Sequence, residues 1–482
     1  MAAIVTSNFR VLNAENFKAD VGTDKVYVGI GKADVWSDST SDITDTTAPN
    51  PNDHLDEEGL ARANLLALKK VATSDISHVV TRYNWSSGET YVGWDSADPD
   101  IFDKKFYIIT SEFKVYKCIY APGNASTIQP VQTLTEPTAE SDGYIWKYMY
   151  TVSTADAEKF LTTSYMPVKT IDPRAGGQAS DYNSDSTAEN ALSEADYAQY
   201  LNQKASALHA KAGGIERIVI TNAGVGYDSK PTVDITGDGS GADVQAAQIT
   251  MAGSGGTQTV SSITLTDKGT DYRVANITFS GGTPDTVAAA RAIIAPKEGH
   301  GTDPVRELGS FFIALNAKLD NSSGDDITTG NDFRQISLLK DPQVHDANAY
   351  GGAAATADVI KPMSGLKVAS VASGALSNLQ VDEVLNGGTS NAVAFVTEVD
   401  TTNSIIYYHQ NQKTGFENFV NNEVVTGATS NQAATLHASA ANVVHSGGGV
   451  DRRSGEMLFL ENRAPISRSD TQIEDIKVII EF

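Results

Sequence analysis

The stretch IERIVITNAGVGY, residues 215–227, returns later in the chain as VSSITLTDKGTDY, residues 260–272. Gly224 of the first copy corresponds to Gly269 of the second, an offset of 45 residues. The pattern of each copy predicts a strand, a glycine turn, an aromatic residue and a further strand. A duplication of this kind predicts a small β module in which each copy covers the apolar face of the other.

A second duplication lies nearer the C-terminus. EVLNGGTSNAVAFV, residues 383–396, matches EVVTGATSNQAATL, residues 423–436, at an offset of 40. The sequence around both duplications is more mixed and more aromatic, so both are interpreted as insertions. We predict a mainly β protein with a few helices (α+β), built as a discontinuous multi-domain body with two inserted β-repeat modules. The predicted boundaries are 1–211, 297–361 and 447–482 for the body, 212–296 for the first module and 362–446 for the second.

Two helices are predicted in the body. Residues 53–71 have acidic side chains in the first turn, lysines in the last turn and an apolar stripe between them. Residues 194–212 follow a plausible capping box formed by Ser193 and Asp196, and Gly213 directly after them ends the helix. The remaining apolar runs predict strands at residues 25–36, 104–110, 113–120 and 143–152.

Length and charge limit the possible functions. A chain of 482 residues exceeds a single hydrophobic core, so two to four domains are expected. The formal net charge of −24 opposes binding to nucleic acid phosphates and anionic membranes, which favours protein partners. Cys118 is the single cysteine, so no intrachain disulfide can form. Neither a signal peptide nor a membrane-spanning helix is predicted.

The chemistry-bearing residues form no catalytic pattern. Cys118 lies in an alternating apolar run and is interpreted as a buried structural cysteine. The eight histidines make no HxH or HExxH pair that would indicate zinc. DITGDGSGAD, residues 234–243, departs from the calcium-loop spacing and is better explained as a turn. We therefore predict no enzyme activity, no metal, no cofactor and no small-molecule substrate.

Aromatic residues leave one alternative open. The four tryptophans, Trp36, Trp85, Trp94 and Trp146, are interpreted as core more readily than as interface. Tyr227 and Tyr272 occupy turn positions of the first duplication, where they could stack on sugars. A carbohydrate-binding protein is therefore the alternative function.

Seven blocks of the chain occur in the order expected for one known family. They are AIVTSNFR (3–10), KVYVGIGKADVW (25–36), VVTRYNW (79–85), VYKCIYAP (115–122), DGYIWKYMY (142–150), FRQISLL (333–339) and SGEMLFLENRAPI (454–466). Together they resemble the baseplate wedge protein of T-even-type contractile-tailed phages, the gene product eight family. The resemblance covers residues 1–170, 300–345 and 450–482, and it leaves out both duplicated modules.

The resemblance implies a structural role. It implies a non-enzymatic homodimer that links neighbouring wedge proteins in the tail baseplate of the virion and is assembled in the host cytoplasm. We hypothesise that Glu456, Glu461, Asn462 and Arg463 fix the closure of the body or a subunit contact. The alternative is that these polar residues cap turns within one monomer. The modules are hypothesised to face outward and to contact adjacent baseplate proteins.

Overall fold

Two compact units make up the chain, and each is discontinuous in sequence. Unit 1 is Met1–Glu15, Ser77–Ala314 and Ile480–Phe482; unit 2 is Asn16–Ile76 and Leu315–Ile479. The computed structural model describes residues 3–36, 45–171, 194–209, 213–320, 331–344, 353–411, 413–439, 445–446, 450–451, 454–469 and 472–482. Strands hold 40% and helices 16% of the residues, which confirms the mainly β fold with a few helices.

Five α-helices lie in the described part of the chain. They are α1 Ser7–Thr23, α2 Leu55–Ala63, α3 Thr154–Phe160, α4 Glu194–His209 and α5 Pro304–Glu307. Short 3-10 helices are Thr73–Asp75, Ile101–Asp103, Ala246–Gln248, Gly255–Thr257 and Leu376–Asn378.

The strands are short and numerous. In the first part of the chain they are β1 Val26–Gly31, β2 Leu65–Lys70, β3 Ile76–Thr81, β4 Tyr107–Ile109, β5 Lys114–Tyr120, β6 Thr138–Ala139, β7 Ile145–Thr151, β8 Tyr165–Val168, β9 Ile215–Asn222, β10 Thr232–Gly237, β11 Ser240–Asp243, β12 Ile249–Ala252, β13 Thr259–Ile263 and β14 Asp267–Thr270. Further along they are β15 Ala275–Ser280, β16 Ala289–Ile294, β17 Phe312–Asp320, β18 Asp332–Lys340, β19 Val359–Ile360, β20 Ser364–Val371, β21 Val384–Gly387, β22 Val393–Asp400, β23 Ile405–His409, β24 Val424–Gly427, β25 Ala433–Leu436, β26 His445–Ser446, β27 Glu456–Ser467 and β28 Ile473–Glu481.

The predicted helix over residues 53–71 is confirmed in its first half and wrong in its second half. Helix α2 begins as expected, where His54 Nδ1 accepts a hydrogen bond from the backbone N–H of Glu57. It ends at Ala63, and the rest of the predicted helix is β2, which pairs with β1 on one side and β19 on the other. Sheet pairing buries the Leu-Ala-Leu run on both faces and overrides its helical propensity.

The other helices give mixed outcomes. Helix α4 begins at Glu194, as predicted, while its proposed cap Ser193 and the predicted end at residues 210–212 lie outside the described residues. Helix α1 was not predicted, because its residues give a weak apolar stripe and begin without a clear capping signal.

Unit 1 contains two small body sheets and the first duplicated module. One body sheet has the order β4-β5-β7-β6, and β3 pairs antiparallel with β8. A hydrophobic core around Phe106, Met149 and Met166 fills the space between these elements. In the module, β10-β15-β16-β9 form one sheet, and β11-β14 and β12-β13 form two further pairs. The core of the module consists only of residues between Ile215 and Ile294.

The two copies of the first duplication exchange contacts, as predicted. The hydroxyl of Tyr227 accepts a hydrogen bond from Ala288 N at 2.8 Å, and the hydroxyl of Tyr272 accepts one from Ala242 N at 3.4 Å. Each tyrosine of one copy is therefore held by the other copy. Gly224 and Gly269 have φ angles of 64° and 63°, a left-handed conformation that turns the chain in front of each tyrosine ring.

Replacing Gly224 by alanine is expected to lower the free energy of unfolding by at least about 2 kcal/mol, because φ is positive and the space is filled. A Cβ atom there would lie 2.7 Å from both Thr286 O and the Tyr227 ring. Hydrogen exchange followed by mass spectrometry on the full chain measures the effect in peptides of the module. The matched control is Gly256→Ala, where φ is −66° and no atom lies within 4 Å of the added Cβ. Equal protection in the two variants would contradict this prediction.

Unit 2 contains a five-stranded sheet with the order β19-β2-β1-β18-β27. The second duplicated module forms a separate seven-stranded sheet, β23-β22-β21-β24-β25-β20-β26. Its core, around Leu385, Val396 and Val425, uses residues of the module alone. The five-part division of the chain at residues 211, 296, 361 and 446 remains a prediction.

A local twofold axis relates the copies in the second module. Strands β21 and β24 pair antiparallel, and Asn386 lies opposite Thr426. These two positions are equivalent at the offset of 40, so the axis passes between them. Asp382 and Asn422, another equivalent pair, both have positive φ angles, 66° and 59°. The duplication in sequence is therefore also a duplication in backbone conformation.

Candidate functional site

Strand β27 carries all four residues that the sequence analysis selected as interaction candidates. It lies at the edge of the five-stranded sheet of unit 2 and, among the described residues, pairs only with β18. Its twelve residues are half-buried or exposed rather than buried, and Leu458 is 41% exposed. An edge strand presents unpaired backbone groups that can contact another chain.

Asn462 is bonded within its own unit. Its Oδ1 accepts a hydrogen bond from Gln335 Nε2 at 2.9 Å, and its Nδ2 donates to Pro49 O at 3.1 Å. A longer contact of 3.4 Å joins Nδ2 to Glu57 Oε1 on α2. The side chain therefore ties β27 to the neighbouring strand and to the segment that leads into α2.

Glu461 and Arg463 flank Asn462 and are more exposed. Their side chains approach each other at 3.8 Å, with 45% and 38% of their surfaces exposed. The carbonyl oxygen of Arg463 accepts a hydrogen bond from Trp36 Nε1 at 2.8 Å. Glu456 is exposed at the start of the strand, opposite Lys340. The four candidates thus share one strand, and they do not share one contact.

The backbone of β27 changes register beside these residues. Gln335 pairs with Asn462 whereas Phe333 pairs with Ile466, so β27 carries extra residues at this point. Pro465 lies in this bulge, where a residue without a backbone N–H is tolerated at a sheet edge. The bulge gives the edge a local twist.

Two buried glutamates of the second module escaped the sequence analysis. Glu383 accepts hydrogen bonds from Thr429 N and Ser430 N at 3.0 and 2.9 Å, and its equivalent Glu423 accepts them from Thr389 N and Ser390 N at 3.1 and 3.0 Å. Burial favours the neutral acids, but the hydrogen bonds outweigh it and lower the pKa of both glutamates. The signal available in the sequence was that both copies repeat the glutamate and the Thr-Ser pair that binds it.

A buried ionic cluster in unit 1 was also missed. Lys117 on β5 is fully buried, and its Nζ lies 2.8 Å from Glu307 Oε2 and 3.9 Å from the centroid of the Trp94 ring. Burial alone raises the pKa of Glu307, but the charge of Lys117 and contact with His300 lower it to about 2. Lys117 lies in an alternating run whose period predicts that this side chain is buried. Its partner Glu307 is distant in sequence, so the pair is visible only in the folded structure.

The remaining chemical candidates are structural. Cys118 is buried, as predicted, and burial raises the pKa of its thiol. In the acidic segment 234–243, which the sequence analysis explained as a turn, only Asp238 and Gly239 lie between strands β10 and β11. Asp238 Oδ1 accepts hydrogen bonds from Arg273 N and Val274 N. No group of three or more metal-ligating side chains occurs among the described residues. None of the helices in that part of the chain is long and apolar enough to cross a membrane.

The sugar-stacking sites suggested by the sequence do not form. Tyr227 is 0% exposed and Tyr272 is 4% exposed, so neither ring offers a face to a ligand. Of the tryptophans, Trp146 is a core residue, as expected, and the half-buried Trp85 and Trp94 pack against hydrophobic cores of unit 1. Trp36 is half-buried.

Comparison with known protein families finds a similarity to a phage structural protein in the N-terminal part of the chain. Residues 3–105 match the family model described as Bacteriophage T4, Gp8, a baseplate wedge protein. The resemblance stated from the sequence is thereby confirmed over these residues. The match supports a structural role in the phage tail baseplate. No curated protein in the comparison matches the chain.

Proposed function

We propose that the chain is a non-enzymatic subunit of the baseplate wedge that acts as a homodimer and links neighbouring wedge proteins. The observation that carries this proposal is the family match over residues 3–105. The exposed edge of β27 supports the dimer, since it combines unpaired backbone, exposed apolar surface and charges of both signs. The net charge of −24 makes acidic surfaces repel one another, so a self-contact needs local charge pairs.

Strand β27 is self-complementary in one antiparallel arrangement. If two copies meet about Asn462, Glu461 of each copy lies opposite Arg463 of the other, and Leu458 lies opposite Ile466. Opposite charges that face each other across paired strands stabilise the pairing, whereas like charges oppose it. The bulge after Asn462 limits a regular backbone ladder, so side chains carry most of this contact.

Charge reversal tests the dimer contact. Glu461→Arg and Arg463→Glu each place like charges opposite each other twice, so each is expected to weaken dimerisation by at least about tenfold. The double variant restores both pairs and is expected to restore the dimer. Sedimentation velocity of the full chain measures the dissociation constant. Both residues are exposed, so their own ion pair contributes little to folding.

The control is Glu417→Arg, an exposed charge reversal in the second module. It is expected to leave the dimer intact. A wild-type chain that remains monomeric at micromolar concentration would overturn the homodimer. A dimer that tolerates all three β27 variants would show that another surface forms it. Addition of neighbouring wedge proteins should then shift the dimer to a faster-sedimenting complex, and no shift would contradict the linking role.

A further inference from the structure

Helix α4 buries polar side chains where a helix on the surface of a protein usually buries apolar ones. Between residues 196 and 207, the buried residues are Gln199, Tyr200, Gln203 and Ser206. Three of these four are polar, and their spacing of four and then three residues places them on one face of the helix. Leu201 is 41% exposed. The face that α4 turns toward the rest of unit 1 is therefore held mainly by hydrogen bonds and not by apolar burial.

Gln203 makes most of the contacts of this face. Its Oε1 accepts a hydrogen bond from Ile171 N at 3.1 Å, and its Nε2 donates to Ile171 O at 3.1 Å and to Thr302 O at 3.0 Å. The amide group thus pairs with the backbone of Ile171 as a neighbouring strand would. Gln199 Nε2 donates to Lys169 O at 2.6 Å. Water can replace each of these bonds when the helix leaves, so their loss costs less than exposure of an apolar face.

The docked helix also covers a lysine that has no carboxylate of its own. Lys147 on β7 is 1% exposed, and its Nζ donates to Ser206 Oγ at 3.0 Å and to Asn202 Oδ1 at 3.5 Å, both on α4. It lies directly opposite Lys117 on β5, whose ammonium group is bound by Glu307. Like charges that face each other across paired strands are destabilising, and a buried charge needs a counter-ion. The docked state of α4 therefore holds an uncompensated positive charge.

The pKa of this lysine reports the same cost. Burial lowers the pKa of Lys147 from 10.5 to about 8, although the charges of Glu307 and Glu136 act in the opposite direction. Lys147 is therefore still protonated at pH 7. The fall in pKa is equivalent to a preference of up to about 300-fold for states in which the ammonium group is hydrated. An opening of α4 provides such a state.

A cavity of about 190 Å³ lies beside the contact between Lys147 and Ser206. Both residues line it, together with Glu136, Glu216 and His300. Side chains that line a cavity have fewer packing contacts on that side, which reduces the dispersion energy that holds the helix in place. The contact between α4 and β7 is therefore polar, charged and incompletely packed.

We propose that α4 is a releasable latch of unit 1, which opens and closes as one piece while the sheet β4-β5-β7-β6 stays folded. Elements that are held by few apolar contacts open locally, at a small fraction of the cost of global unfolding. Opening hydrates Lys147 and exposes both backbone groups of Ile171. The latch does not depend on the proposed dimer contact, because β27 belongs to unit 2.

Hydrogen exchange followed by mass spectrometry on the full chain tests the proposal. At pH 7, the amides of α4 are expected to exchange at least about a hundredfold faster than those of β7, because the opening of the helix leaves the sheet intact. Gln203→Ala removes the bonds to Ile171 and Thr302, and it is expected to speed the exchange of α4 at least about tenfold without changing that of β7. Exchange of α4 and β7 in one common step would overturn the proposal.

Lys147→Met tests the role of the buried ammonium group. It removes the charge and keeps most of the side-chain volume, and Ser206 Oγ keeps its bond to Asn202 Oδ1 at 3.3 Å. The exchange of α4 is therefore expected to slow at least about tenfold. The matched control is Lys204→Met, an exposed lysine of the same helix, which should change exchange by less than about twofold. Equal or faster exchange in Lys147→Met would overturn the proposal.

Acetylation of the wild-type chain by sulfo-NHS acetate is a second measurement, which serves if Lys147→Met does not fold. Opening of α4 exposes Lys147 but leaves Lys117 inside the sheet, so Lys147 is expected to be acetylated at least about tenfold faster than Lys117. Peptide mass spectrometry measures both rates in one sample. Equal rates at the two lysines would contradict an opening that is confined to α4.

Discussion

Lys117→Met is expected to lower the free energy of unfolding of unit 1 by about 3–5 kcal/mol at pH 7, because it leaves the Glu307 carboxylate buried without its cation. Glu307 Oε1 would keep its hydrogen bonds from Gly301 N and Thr302 N, at 2.7 and 2.9 Å, but Oε2 would lose Lys117. Urea unfolding followed by tryptophan fluorescence measures the change, since Trp94 lies directly against the pair.

The effect should depend on pH in a defined direction. The pKa of Glu307 falls from its ordinary value of 4.5 to about 2 in the folded chain, so its contribution is present above pH 4.5 and is lost as the pH falls toward 2. Without Lys117 the carboxyl group protonates at a higher pH. The difference between variant and wild type should therefore shrink below about pH 4.

Lys114→Met is the matched control, because Lys114 lies on the same strand but is only half-buried and pairs with the exposed Glu112, at 2.8 Å. Its loss should change stability by no more than about 0.5 kcal/mol. The double variant Lys117→Met, Glu307→Gln removes both charges and should recover part of the loss. Equal effects of Lys117→Met and Lys114→Met would contradict the role of the buried pair.

Glu383→Ala is expected to destabilise the second module by about 3 kcal/mol, because Thr429 N and Ser430 N would lose their acceptor inside the fold. The equivalent substitution Glu423→Ala should act with similar magnitude. The twofold relation further predicts where each variant loses protection: Glu383→Ala at residues 429–430, and Glu423→Ala at residues 389–390. Hydrogen exchange followed by mass spectrometry resolves these peptides in the full chain.

Glu417→Ala is the control, since this glutamate of the same module is exposed. It should leave exchange unchanged.

The lowered pKa of Glu383 and Glu423 adds a second test. Their stabilising contribution is present above the ordinary pKa of glutamate and is lost as the pH falls through the lower folded value. The reciprocal arrangement would be contradicted if each variant lost protection only in the copy that carries the substitution and not in the other copy.

The repeated elements could be predicted from the sequence because two copies with the same pattern of residues adopt the same local structure. The copies at residues 215–227 and 260–272 share a left-handed glycine and a buried tyrosine, and those at 383–396 and 423–436 share a glutamate and a serine turn. The alternative that Tyr227 and Tyr272 stack on sugars is nevertheless wrong, because both rings are buried. An aromatic residue beside a turn can face solvent or core, and the packing of the opposite copy decides which.

Amino-acid order by itself determined the fold class, the two duplications, the burial of Cys118 and the resemblance confirmed over residues 3–105, since each depends on local periodicity or on matching letters. The tertiary structure alone decided that residues 65–70 form a strand, that Lys117 meets Glu307 and that Gln203 meets Ile171. These contacts join residues that are distant in sequence, and their energies come from burial and pairing that no local pattern encodes.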